Sequence, residues 1–175
     1  LERLAAHWEA AGDAERALGY TIRAADQAAS ALAFDRAAKL YRTAIDLCAG
    51  GEDERTLHRK LGFALANAGH CAEAGDTFLT ASILATRDEA LDFKRHAAEN
   101  YLRSGYVDEG MTCLHEVLTA IGMEVPETPA GTLSALVFRR NEIDVRGLHF
   151  EPRSPASISS RRLAEIDLCW SAALG

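Results

Sequence analysis

Apolar and small residues recur at the spacing of an α-helix along most of the chain, and the pattern is clearest between Leu57 and Ala81. The first half of this stretch has one apolar face, made by Leu57, Leu61, Ala64 and Leu65. The second half has another, made by Cys71, Ala74, Phe78 and Ala81. Gly69 lies between the two halves, and glycine readily takes the positive φ of a tight turn. The pattern predicts a helical hairpin in which Phe78 fills the space between packed helices.

The same spacing predicts helices over most of the remaining chain. They are expected at residues 1–11, 14–32 and 34–48, then through the central hairpin, and again within 89–121. Ala17 and Ala37 each open the pattern of a second hairpin helix, but they lie only 20 residues apart. The long helix is therefore predicted to close one hairpin and to open the next. Gly69 and Gly105 lie 36 residues apart, which predicts a repeat of about that length.

These boundaries predict four segments. Residues 1–121 are expected to form an array of about three to four repeats, of which the first two share the long helix. Gly122, Pro126 and Pro129 then interrupt the helical pattern. The other segments are an additional helix within 122–146, a flexible loop at 147–160 and the start of a further helical repeat at 161–175.

Charge is distributed unevenly along the chain. The net charge is −7, with −8 over residues 1–131, +3 over 132–162 and −2 over 163–175. A nucleic-acid-binding surface would be basic and clustered, so no nucleic-acid partner is predicted. The basic segment is interpreted as a solvated surface.

Two further features bear on location. No run of about 18 apolar residues is present, so no membrane partner or membrane span is predicted. The four cysteines are far apart and each lies in a helical pattern, which favours free thiols in a reducing compartment. A cytoplasmic location is therefore expected.

The order Leu61-Gly62-x-x-Leu65, Gly69, Ala74-x-x-x-Phe78 and Ala81 resembles a tetratricopeptide repeat. The resemblance covers residues 1–121, although no proline closes any repeat and Thr21 and Leu114 stand where aromatic residues are usual. It implies an all-α fold, a right-handed superhelix of antiparallel helical hairpins. Such an α-solenoid is stabilised by contacts between neighbouring repeats.

Three strings carry a narrower resemblance. They are HWEAAGDAERAL, ALAFDRAAKLYRTAIDL and RRLAEIDLCWSAALG. They are similar to the repeat region of large bacterial signalling proteins that carry serine/threonine kinase or cyclase domains and a signal-transduction ATPase. This resemblance implies that the chain is a regulatory fragment of such a protein and that the nucleotide chemistry lies in other domains.

The chain shows little catalytic or metal-binding chemistry of its own. No phosphate-binding loop, kinase glycine loop or nucleophile elbow occurs. His70-Cys71 and Cys113-x-His115 lack the spacing of metal ligands. No catalytic residue, cofactor or metal site is therefore predicted, and Trp8 and Trp170 are expected in the core.

The remaining candidate is the concave face of the array, which the first helix of each repeat would line. The candidate partner-binding residues are Arg59, Phe63, Asn67, Asp92, Arg95, Glu99 and Arg103. Aromatic, amide and guanidinium groups together suit an extended peptide. The alternative is that the charged residues are only helix-surface ion pairs, for example Arg95 with Glu99.

Two function classes follow. The favoured one is a non-catalytic module that binds a protein or peptide, or neighbouring domains of the same chain. The other is a sensor, in which a small molecule binds between repeats and changes their packing. A cavity of several hundred Å³ with convergent polar groups would favour the sensor. The sequence does not predict the oligomeric state.

Overall fold

A computed structural model describes residues 1–48, 50, 52–123, 126 and 128–174. Over this part of the chain the secondary structure is α-helical, with one short 3₁₀ turn and no strand, so the predicted all-α class is confirmed. The helices are α1 (Glu2–Ala10), α2 (Ala14–Ser30), α3 (Phe34–Leu47), α4 (Glu52–Ala68), α5 (Cys71–Ile83), α6 (Arg87–Arg103), α7 (Val107–Ala120), α8 (Pro129–Arg146) and α9 (Ser160–Leu174). None of these described helices has both the length and the apolar character needed to cross a bilayer.

Local chemistry explains where several helices begin and end. The side chain of Asp13 accepts a hydrogen bond from the backbone N–H of Arg16 at 3.0 Å, which caps the start of α2. Thr86 and Glu89 form a capping box at the start of α6. Gly69 and Gly105 have φ of 87° and 83°, so each supplies the left-handed turn that ends a helix.

From α1 to α7, each helix packs on the next one in the chain. The long helix α2 contacts both α1 and α3. The core between the helices is built largely from alanine together with a few large side chains, and Phe78 is fully buried within it. Small residues allow this close packing: a Cβ added at Gly62 would lie 2.7 Å from the ring of Phe78.

Three ion pairs each join two helices that are separated by one helix along the chain. Arg36 pairs with Glu2 at 2.7 Å and Lys60 pairs with Asp26 at 2.8 Å, and both pairs span 34 residues. The Arg55–Glu89 pair has the same separation in the sequence. A fixed separation of this size arises when similar helical units are stacked in order along the chain.

The C-terminal helices are less buried than the array. No described residue of α8 is buried. Helix α9 contacts α6, and among its described side chains Leu168 is buried, at 1% exposed. Trp170 is 67% exposed, so its expected place in the core is wrong. It lies two positions after Leu168 and therefore on a different side of α9 from the residue that packs on the array.

Candidate docking face

The seven candidate residues lie on two helices that pack around α5. Arg59, Phe63 and Asn67 are exposed along α4, with a spacing of four residues that places them on one edge. On α6, Arg103 is exposed, whereas Asp92, Arg95 and Glu99 are half-buried. We call these seven residues the α4–α6 face.

Phe63 is held in place by aromatic contacts from two neighbouring helices. Its ring centroid lies 5.2 Å from that of Phe78 on α5 and 4.9 Å from that of His96 on α6, in edge-to-face arrangements. The rings of Phe78 and His96 are themselves stacked at 5.1 Å. Offset and edge-to-face contacts at these distances are the preferred geometries of aromatic pairs. Phe63 therefore presents a fixed apolar surface, even though its residue is 36% exposed.

Arg59 lies above this aromatic cluster. Its guanidinium carbon is 6.0 Å from the ring centroids of both Phe63 and Phe93. That distance is at the outer limit of cation–π attraction. The sequence analysis included Arg59 and Phe63 among the candidate residues but neither His96 nor Phe93. The sequence did contain a signal for these two residues, because Phe93 and His96 lie about one helical turn apart on α6.

The charged residues of α6 pair mainly with one another. Arg95 lies 2.8 Å from Asp92 and 3.9 Å from Glu99, and Arg103 lies 3.1 Å from Glu99. The side chains of Arg95 and Glu99 are only 15% and 18% exposed. These distances are those of helix-surface ion pairs, the alternative considered for this helix. On the α4–α6 face, the more accessible positive groups are therefore Arg59 and Arg103.

His96 is largely buried in this cluster, with 17% of its side chain exposed. The Nη2 atom of Arg95 lies 3.0 Å from Nε2 of His96. A guanidinium can only donate, so Nε2 accepts this hydrogen bond and the imidazole is neutral. Burial and the nearby charge of Arg95 lower the pKa of His96, while Asp92 and Glu99 oppose that change. The face thus contains a neutral histidine beneath an exposed phenylalanine.

Three surface cavities in the described part of the chain have volumes of about 450, 560 and 640 Å³. The largest of these three adjoins the α4–α6 face. That cavity lies between α6, α7 and α9. Its walls are formed by Arg87, Asp88, Leu91, Asp92, Arg95, Val117, Ala120, Ile121, Leu163, Asp167 and Leu168. Asp92 and Arg95 belong both to this cavity and to the face.

The two short motifs His70-Cys71 and Cys113-x-His115 do not form a metal site in the part of the chain that the structure describes. Nε2 of His70 lies 2.9 Å from Asp35 Oδ1. Cys113 is buried on α7, and burial raises the pKa of its thiol. Within the described residues, no group of three or more His, Cys, Asp or Glu side chains is arranged to hold a metal ion.

Comparison with protein-family models, with curated proteins and with solved structures gives no significant match. The geometry of the face and of the cavity is therefore the basis for assigning a function.

Proposed function

We propose that the chain is a non-catalytic docking module that binds a protein or peptide through the α4–α6 face. The module would be a tetratricopeptide-like α-solenoid within a larger bacterial signalling protein of the kinase- or ATPase-linked kind. The partner is an extended segment that contributes an apolar side chain and a carboxylate.

The position of Phe63 is the observation that carries this proposal. An exposed aromatic ring that is already fixed by Phe78 and His96 loses little conformational freedom when a partner covers it. Arg59 is next to the ring, and its guanidinium can bind a carboxylate with two parallel hydrogen bonds. Asn67 lies one helical turn further along and can hydrogen-bond to a peptide backbone.

The repeated architecture supports the solenoid part of the proposal. Successive packing of α1 to α7 and ion pairs that span 34 residues fit stacked repeats of similar length. The link to bacterial signalling proteins is supported by the resemblance of three strings in the sequence. Arrays of this kind present long surfaces on which extended partners bind.

The proposal can be tested by selecting peptides from a displayed random library on the wild-type protein and measuring their affinity by calorimetry. We expect selected peptides to carry an aromatic or aliphatic residue near an acidic one. Phe63→Ala and Arg59→Glu should each weaken their binding by about tenfold or more, because central anchors dominate interface energies. Circular dichroism would verify that both variants remain folded.

Arg23→Glu is the matched control for Arg59→Glu. Arg23 is also exposed, and its guanidinium carbon lies 5.8 Å from the ring of Tyr20 on α2. The control therefore makes the same charge change beside an aromatic ring outside the α4–α6 face. If the selected peptides bind the Phe63 and Arg59 variants as tightly as they bind the control, the face is not the docking site.

One observation favours the alternative of a small-molecule sensor. The α6–α7–α9 cavity has a volume of about 640 Å³ and combines an apolar floor with charged groups such as Arg87 and Asp167. These are the size and composition of many ligand sites. Thermal-shift screening of a metabolite library tests this function. A true ligand should raise the melting temperature of the wild type but not that of Leu91→Trp, in which the indole fills the cavity.

A further inference from the structure

Helix α8 exposes an apolar surface that no part of the described chain covers. Leu133, Leu136 and Ile143 lie on one side of the helix and are 62%, 65% and 53% exposed. We call these three residues the α8 stripe. Arg140 lies within the stripe and Arg146 lies beside it, and neither forms an ion pair with a described residue. An exposed apolar stripe of this size on a folded helix indicates an interaction surface.

A cleft of opposite charge lies on the array between α5 and α7. It has a volume of about 560 Å³, and we call it the acidic cleft. Its lining includes Leu79, Ile83, Lys94, Asp108, Glu109 and Glu116.

The acidic cleft has both an apolar floor and unpaired negative charge. Ile83 is 83% exposed and lines the cleft together with the buried Cys113. Glu116 is paired with Lys94 at 2.6 Å. By contrast, Asp108 and Glu109 have no ion-pair partner among the described residues. A partner that fits this cleft therefore brings both apolar side chains and cations.

We propose that α8 of one copy of the chain docks in the acidic cleft of a second copy. The α8 stripe would cover Ile83 and Leu79, while Arg140 and Arg146 would pair with Asp108 and Glu109. The charges of the two surfaces are opposite in sign, because α8 carries three arginines and two acidic residues (net +1), whereas the cleft is lined by three acidic residues and one lysine (net −2).

A second copy of the chain can supply the occupant of each surface, because both surfaces are open in the single chain. Helix α8 does not pack in the cleft of its own chain. If each of two copies inserts α8 into the other, all four surfaces are covered and the assembly closes with twofold symmetry. The α4–α6 face is not used, so dimer formation does not depend on the proposed docking function.

Sedimentation velocity on the whole chain, over about a hundredfold range of concentration, tests the proposal. The first variant reverses charge on α8, with Arg140→Glu and Arg146→Glu. The second variant reverses charge in the cleft, with Asp108→Lys and Glu109→Lys. A third protein combines all four changes. The matched control is Glu15→Lys with Asp46→Lys, which makes the same charge change at exposed positions outside the cleft.

We expect the wild type and the control to form a dimer, and each double variant to weaken association by about tenfold or more. The four-fold variant should recover it, since the reversed charges again attract. If the cleft variant fails to fold by circular dichroism, Ile83→Lys replaces it, because a side chain that is 83% exposed tolerates charge.

Three outcomes would overturn the proposal. The first is a monomer at every concentration, which is also the result expected if α8 docks within its own chain. The second is association that either double variant leaves unchanged. The third is association that the four-fold variant does not restore, because charge pairing between α8 and the cleft would then not be its basis.

Discussion

At the scale of single residues, close helix contacts depend on glycines that have no room for a side chain. A Cβ at Gly62 would lie 2.7 Å from Phe78, which is fully buried and cannot move aside. We expect Gly62→Ala to lower the free energy of unfolding by about 1–3 kcal/mol, as is usual for an overpacked core. Urea unfolding followed by circular dichroism measures this change.

Gly19→Ala is the control for this substitution, because Gly19 is also inside a helix. Apart from its chain neighbours and the nearby backbone of its own helix, no atom lies within 4 Å of the Cβ position at Gly19. Alanine there should stabilise the protein by about 0.5–1 kcal/mol through its helix propensity. Equal effects of the two substitutions would contradict the close approach of α4 and α5 at Gly62.

His96 connects the protonation state of one residue to the stability of the array. Its pKa is lowered in the folded protein, mainly by burial and then by Arg95, so the folded state favours the neutral ring. Neutral His96 therefore contributes stability that is fully present above the unfolded pKa of about 6.5 and is lost as the pH falls below it. We expect the free energy of unfolding to fall between about pH 7.5 and pH 5.5.

The variant His96→Phe isolates this contribution. Phenylalanine keeps a ring against Phe63 and Phe78 but cannot take up a proton. The loss of stability on acidification should therefore be smaller in His96→Phe than in the wild type, as measured by urea unfolding at several pH values. His58, whose pKa burial also lowers, remains in both proteins and cancels in the comparison. Identical pH dependence of the two proteins would show that His96 does not contribute.

At the scale of helices, the sequence was sufficient to predict the hairpins but not to predict which helix packs on which face. The predicted turn at Gly69 and the buried face with Phe78 and Ala81 are confirmed, because helical spacing and a glycine turn are local properties. The exposure of Trp170 was not predictable in this way. Spacing shows which residues share a side of a helix, whereas the helix that covers that side is set by the whole fold.

The same limit applies to the candidate site. Arg59 and Phe63 could be found because they lie off the packing face of α4. The ring contact between Phe63 and His96 could not be found, since it depends on how α4 and α6 pack around α5. The ion pair of Arg95 with Glu99, by contrast, could be named as the alternative from the sequence, because the two residues lie one helical turn apart.

The attachment of α9 to the array depends on Leu168, its one fully buried described side chain. We expect Leu168→Ala to release α9, because truncating a buried leucine costs about 2–5 kcal/mol and α9 has few other contacts. Limited trypsin digestion should then cut faster at Arg162, near the start of α9. Cleavage sites within α2 to α7 should be unaffected.

Cys169→Ala is the control, since Cys169 is the next residue of α9 and is exposed. Its digestion should match that of the wild type. If Leu168→Ala is cut no faster than the control, α9 is held by contacts other than its buried leucine.

At the scale of the whole molecule, each helix of the array depends on its neighbours in the chain, so the effect of a core mutation depends on its position. Phe78 lies in the middle of the array and contacts the rings of Phe63, Phe93 and His96. Phe78→Ala should lower the free energy of unfolding by about 3–5 kcal/mol. It should also raise amide hydrogen exchange throughout α3 to α7, because the central contacts hold both halves together.

A core substitution at the end of the array should affect only the helices near it. Ala5 is buried where α1 packs on α2, and Ala5→Asp places a charge in that contact. Hydrogen exchange should increase in α1 and in the facing part of α2, while α4 to α6 keep the protection of the wild type. Because each helix packs mainly on its neighbours in the chain, a substitution in the centre of the array should affect more helices than one at its end. Uniform loss of protection in Ala5→Asp would instead show that the array unfolds as one cooperative unit.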